Sequence, residues 1–421
     1  MFQIPRGTRD FTAEEMQKRK SIEVKMRKTF ESYSYKEIQT PVFENLELFT
    51  AKSGQTIIDE IYAFTDKGDR KLALRPELTA PVIRFYIEKL QMQPKPLKLY
   101  YFGNCYRYDR PQKGRYREFK QAGCEIIGVN TPESIAELIA MAYNIIKNSG
   151  LKNTVLRIGN LNLLSFIFKR LNIAKEKQEY ITPLIDKSLF DDLYEALTDY
   201  KISPKDVSDF IDFLQTDDIE KIKNYIKEYK ESSDEIQNFE KTINFLKNSF
   251  KVTNFKIDMS IVRGLDYYSG IVFEIEAPVL GAEKQLCGGG EYQLIPLFGG
   301  RETPTAGFAI GFDRTILALE QEKHEFPKYK TDAYIIPYNK DMIEKSIKIA
   351  EELRKQGLIV DIDLMRRGIS KALKYANSIN TKKTIIVAPD EIKEDAVTVK
   401  DMKTGEQQKI KINEIKKEFL G

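Results

Sequence analysis

The 421-residue sequence has a single histidine, His324, no tryptophan and three cysteines. His324 lies in the charged stretch Gln321-Glu322-Lys323-His324-Glu325, which reads as a surface loop. That argues against histidine-based acid–base or metal chemistry. Cys105, Cys124 and Cys287 are odd in number and lack metal-ligand spacing, so no metal is expected and reduced, buried thiols in a cytoplasmic protein are. No apolar run approaches the ~18 residues of a membrane span, and nothing resembles a signal peptide. The net charge of +4 is too small for a general nucleic-acid binder, so any RNA contact must come from local patches. Glycine, 23 in all, is absent from Asn160 to Arg263.

What is present fits two or three domains. After an irregular lead-in, Ile4-Pro5-Arg6-Gly7-Thr8-Arg9-Asp10, the Thr12/Glu15 capping-box spacing predicts a helix to about Tyr33. A strand and turn follow over 37–44, the strand ending at Pro41. Paired strands are predicted at 60–65 and 70–75, then a helix over about 80–90. Glu77 stands at that strand-to-helix turn. It is either a first-turn helix acid or a carboxylate aimed at an ammonium group. Residues 104–128 read as two strands joined by a basic loop. Between Arg107 and Lys120 there are six cations and two anions, Asp109 and Glu118. Such a loop suits a polyanion, a nucleoside triphosphate or an RNA end. A solvated surface hairpin is the plainer alternative.

An amphipathic helix is predicted over 132–147 and a strand over 154–159. The glycine-free stretch has apolar residues at helical spacing, which predicts a helical insertion over 161–250. Strand patterns return at 255–277, interrupted by Arg263-Gly-Leu-Asp-Tyr-Tyr-Ser-Gly270. Glycines there permit close approach by a ligand. Cys287-Gly-Gly-Gly290 follows, then Ala306-Gly-Phe-Ala-Ile-Gly-Phe-Asp-Arg314, a strand running into a helix over 313–320. Small residues there make a floor for a flat ring, or simply give clearance between strand and helix. From Tyr329 the pattern strand (333–337), helix (340–355), strand (358–363), helix (368–379), strand (383–388) predicts an α/β domain. Between Arg366 and Lys383 there are six cations and no acid, a solvated face or an RNA-facing patch.

The hairpin, the Arg263–Tyr268 stretch and the Gly…Arg314 strand-helix, in this order, resemble the histidyl-tRNA synthetase family of the class II synthetases. The likeness covers nearly the whole length. Arg107-Tyr-Asp-Arg-Pro-Gln-Lys-Gly-Arg-Tyr-Arg117 and Arg263-Gly-Leu-Asp-Tyr-Tyr268 carry most of it. The resemblance implies an α+β catalytic core, an antiparallel sheet flanked by helices, over 1–160 and 251–325. The helical insertion would fill 161–250 and an α/β anticodon-binding domain 329–421. It also implies a homodimer, formed through the segment ending at Pro41.

The implied chemistry joins L-histidine to ATP, with Mg²⁺, as histidyl-adenylate plus pyrophosphate. Histidine then passes to the 3′ end of its tRNA. By the resemblance, Arg107 and Arg263 are catalytic, flanking the α-phosphate. Glu77, Thr79, Gln121, Glu125, Tyr267 and Tyr268, with the two arginines, hold histidine. Asp109, Arg115, Tyr116 and Arg314, with Arg107, hold ATP. Gln112 and Arg117 meet the tRNA acceptor end. Two departures stand out: Leu78 where many relatives carry glycine, and Glu291-Tyr292-Gln293 where Arg-Tyr-Asp is common. A rival is the non-catalytic paralogue that regulates ATP phosphoribosyltransferase. That paralogue typically lacks the C-terminal domain and degrades the arginine sites.

Overall fold

The computed structural model describes residues 2–51, 59–226, 233–262, 268–328 and 330–419. Helix Ala13–Ser32 begins one residue after Thr12. Its Ile22, Met26 and Phe30 recur every four residues on the buried face, and Phe30 stacks on Tyr100 at 5.0 Å.

The strand and turn expected over 37–44 are present, and the residues after the turn form a second strand in another sheet. β1 (Lys36–Glu37) and β2 (Phe43–Asn45) are separated by Pro41, which has no N–H to continue a ladder. The carbonyls of Thr40 and Pro41 turn instead to the buried Arg75, 2.9 and 3.1 Å from its Nη1. β3 (Ala63–Thr65) and β4 (Lys71–Leu74) form the hairpin read at 60–75, and β2 joins β4 in a three-stranded sheet.

β5 (Leu97–Tyr106) and β6 (Glu118–Ile127) are the long hairpin around the basic loop. With β1, β7 (Val155–Asn160), β8 (Phe255–Ile257), β9 (Tyr268–Glu276), β10 (Gln285–Tyr292) and β11 (Thr305–Gly311) they build an eight-stranded sheet. Its order is β1-β5-β6-β11-β10-β9-β7-β8. The inner pairs are antiparallel, and the two edge pairs, β1–β5 and β7–β8, are parallel. Helix Pro132–Ser149 has proline in its first turn and ends on left-handed Gly150.

Between β7 and β8 lie helices Leu161–Arg170, Lys175–Asp186, Phe190–Asp199, Pro204–Gln215, Ile219–Ile226 and Ser233–Asn248. Asn160 and Ser203 cap two of them by accepting from Leu163 N–H and Asp206 N–H. Their apolar stripes, Phe168 and Phe210 among them, share one core with sheet residues Ile158 and Phe273.

The chain divides into two compact units, Met1–Thr12 with Lys18–Phe326, and Ala13–Gln17 with Pro327–Gly421. In the second, β12 (Ala333–Pro337), β13 (Val360–Ile362) and β14 (Lys383–Val387) are parallel, linked by helices Ile343–Lys355 and Ile369–Ser378. Beyond residue 388 the sequence reading placed no element. The chain there adds an antiparallel hairpin, β15 (Ala396–Asp401) and β16 (Gln407–Lys411), turning at left-handed Gly405. The sheet order is β13-β12-β14-β15-β16.

Candidate active site

A cavity of about 680 Å³ opens over the eight-stranded sheet. Its floor is short of side chains: Gly288 and Gly289 on β10, and Gly307 and Gly311 on β11, all line it. Antiparallel pairing sets Glu125 opposite Gly307 and Gln121 opposite Gly311. A Cβ at Gly307 would lie 1.7 Å from Glu125 Oε2, so the glycine makes room for a buried carboxylate.

At this end of the cavity Glu125 is 1% exposed. Tyr101 donates to its Oε1 at 2.8 Å and Tyr292 to its Oε2 at 2.6 Å. Burial raises its pKa to about 8, against the opposing pull of the Tyr292, Tyr101 and Thr79 hydroxyls. Gln121, two pleat repeats away on the same face, accepts from Cys105 Sγ at 3.3 Å. Of the two roles left open by the sequence for Glu77, the structure shows that of an acid at the helix start. Its oxygens accept from Thr79 N–H and Ala80 N–H at 2.6 and 3.0 Å, capping helix Thr79–Phe85, and it also lines the cavity with Thr79.

At the other end the basic loop folds over the mouth. Arg107 Nε donates to the carbonyl of Pro76, the residue before Glu77, at 3.0 Å. Arg115 pairs with Asp109, and Arg117 Nε donates to the Asp109 carbonyl at 3.1 Å. Arg314, in the first turn of helix Phe312–Gln321, donates to the carbonyls of Gly114 and Gln285, 3.1 Å each, and pairs with Glu283. Glu283 also accepts from Gln112 Nε2 at 2.9 Å, so it ties the loop to the turn Pro278–Glu283 that leads into β10.

The cavity wall thus gathers Glu77, Thr79, Arg107, Asp109, Arg115 and Tyr116, with Gln121, Glu125, Tyr268 and Arg314. Gln112 and Arg117 sit on the loop outside it. Arg263 and Tyr267 lie outside the described residues. His324 packs on Phe326, 5.0 Å between ring centroids, and does not line the cavity. All three cysteines are buried and free.

Sequence reasoning missed Tyr101, Glu283 and Tyr292 as candidate site residues. Tyr101 is hidden in the apolar run Leu99-Tyr-Tyr-Phe102. Glu283 carries no local signal. Tyr292 belongs to one of the two departures, and both are accommodated. Glu291 accepts from Ile271 N–H at 2.9 Å and Asn130 Nδ2 at 3.4 Å, and burial raises its pKa to about 7. Leu78 is buried at the start of helix Thr79–Phe85.

A cleft over a largely antiparallel sheet, lined by arginines of a long hairpin and a strand-helix, together with an α/β unit, is the architecture that the resemblance to class II synthetases led us to expect. Comparison with known proteins narrows the class. The family model described as histidyl-tRNA synthetase matches residues 7–315, and that described as anticodon binding domain matches 332–421. A histidine–tRNA ligase of Methanocaldococcus jannaschii is 45% identical over 421 residues, 99% of each chain. The crystal structure of apo S. aureus histidyl-tRNA synthetase is 31% identical with a TM-score of 0.76, covering 100% of both chains. A Bacillus halodurans structure described as an ATP phosphoribosyltransferase regulatory subunit/histidyl-tRNA synthetase has a TM-score of 0.80, over 92% of this chain and 98% of its own. At 24% identity it shares the fold alone. The chain belongs to the histidyl-tRNA synthetase family.

Proposed function

We propose that this chain ligates L-histidine to the 3′ end of its tRNA in two steps. A histidine carboxylate oxygen attacks the α-phosphorus of ATP. A mixed anhydride forms, and the bond to pyrophosphate breaks. The terminal ribose hydroxyl of tRNA then attacks the histidyl carbonyl, and AMP leaves. No protein nucleophile takes part, so the protein's contribution is positioning and charge stabilisation.

The observation that carries this reading is convergence. Residues far apart in sequence, Glu77, Arg107, Gln121, Glu125 and Arg314, line one cavity of a size for a nucleotide and an amino acid. Glu77 and Thr79 would hold the histidine ammonium. Gln121, Glu125 and the tyrosines at 267 and 268 would face the imidazole. Buried hydrogen-bonding groups of this kind reject apolar analogues by ~10⁴ or more without editing. Arg107 and Arg263 would flank the α-phosphate, and Asp109, Arg115, Tyr116 and Arg314 the rest of ATP. Gln112 and Arg117, on the exterior of the loop, would meet the acceptor end.

Among the described residues no three His, Cys, Asp or Glu are grouped to hold a metal. The fit is therefore to Mg²⁺ arriving on the ATP phosphates with most of its own waters, and no step is assigned to it. Residues 332–421, matched by the anticodon-binding family, would read the tRNA. We further propose a cytoplasmic homodimer. Among the described residues no helix is long and apolar enough to cross a membrane.

The test is ATP–pyrophosphate exchange with each amino acid offered singly. Exchange with histidine alone is expected, falling by ~10²–10³ in Arg263→Ala. Histidine binding without exchange would instead favour the regulatory paralogue.

A further inference from the structure

We infer that the N-terminal segment 5–11 braces the nucleotide end of the cleft, and that Arg9 is a positioning residue for ATP. The inference rests on the reading above, in which Tyr116 and Arg314 contact ATP.

The segment is an irregular stretch with no ladder of its own, yet it is joined to the basic loop. The Gly7 carbonyl accepts from Arg117 N–H at 2.9 Å. Gly7 has φ +86°, and a Cβ there would fall 2.7 Å from Arg117 Cγ, so only glycine brings the segment this close. Two residues on, the Arg9 guanidinium lies over the Tyr116 ring, 3.4 Å from its centroid. Its Nη2 donates to Asp313 Oδ1 at 2.7 Å. The Asp313 side chain is 3% exposed and immediately precedes Arg314. Its Oδ2 accepts from Lys120 N–H on β6 at 2.6 Å. One planar cation therefore links the loop aromatic to the helix turn carrying Arg314. Arg9 does not line the cavity and must act through these two residues.

A neighbouring arginine separates this role from mere charge balance. Arg19 Nη1 reaches the same Asp313 oxygen at 2.6 Å, so Asp313 already has a cationic partner without Arg9. Arg19 packs on Phe11 and Phe312, away from Tyr116. What Arg9 adds is the contact with the loop. A guanidinium stacks on a ring as an ammonium does not, so lysine would keep the ion pair and lose the stacking.

The experiment is histidine-dependent ATP–pyrophosphate exchange on the full chain, varying ATP and histidine separately, with Tm measured alongside. Arg9→Met and Arg9→Lys are expected to raise KM for ATP about tenfold while KM for histidine stays within about twofold. Tyr116→Leu should raise the ATP KM similarly, and adding Arg9→Met to it should change little more, because the two share one contact. Arg19→Met should lower Tm and leave the ATP KM within about twofold. An unchanged ATP KM in Arg9→Met overturns the inference. So does a rise in both KM values together with a loss of Tm, which marks a purely structural role. If the unaltered chain shows no exchange with histidine, the underlying reading fails and the inference falls with it. If it does exchange, the Arg9 results bear on the inference alone.

Discussion

Glu125 shows how much one side chain's surroundings decide. It is an acid among hydroxyls, with both oxygens engaged by phenols and almost no solvent. Raised to about 8, it holds its proton in the folded chain over a range where the unfolded chain, near 4.5, has released it. The folded state then binds more protons, so this group's contribution to stability falls as pH rises from about 4.5 to 8. The slope is at most about 1.4 kcal/mol per pH unit. Glu125→Gln should therefore flatten the fall of Tm between pH 5.5 and 7.5, and thermal melts of both proteins check it. A variant with the same slope as the unaltered chain would disprove the assignment. The resemblance picked out Gln121 and Glu125, and their four-residue spacing along a strand puts both on one face. The sequence could not reveal Tyr101 and Tyr292 as their supports. One sits in an apolar run on β5, and the other is 167 positions from Glu125.

At the scale of elements, the β5–β6 hairpin and its neighbour β11 make the cleft. The hairpin was legible because its strands, turn residues and charges are contiguous. The pairing of β6 with β11 was not, since it depends on register between distant segments. That register is what gives Gly307 its purpose. Gly307→Ala would push a methyl group into Glu125 Oε2 and, at 2.5 Å, the Cys124 carbonyl. Either the carboxylate turns aside or the strands part. Exchange kinetics should show kcat/KM for histidine falling by about 10² or more, with the KM for ATP far less affected. Among the strands that went unread, β2 after the turn at Pro41 pairs with β4, and the turn is held by Arg75, which captures the Thr40 and Pro41 carbonyls from 35 and 34 residues away. The β15–β16 hairpin has apolar alternation at Val397 and Val399 but a long polar turn, so nothing sharp marked its second strand.

For the whole molecule, the two units have separate apolar cores. A chain ending at residue 326 should keep histidine-dependent pyrophosphate exchange while losing most tRNA charging, two assays run on one preparation. Loss of both would mean that the first unit cannot stand without the second. The changes of hydrophobic period near 160, 255 and 333 fall where the chain passes from sheet to helices, back to sheet, and into the α/β elements. The fine detail of the cleft, built by tertiary contact, was not legible in the sequence. The three buried thiols have a consequence of their own. Cys105, Cys124 and Cys287 lie on β5, β6 and β10 of one sheet, all raised by burial, Cys105 to about 12. A thiol-labelling reagent finds almost no thiolate while the sheet is closed. The rate at which each becomes labelled is therefore a clock for opening of its own strand. The chain comes with three such reporters built in, and mass spectrometry of the labelled peptides would read them separately.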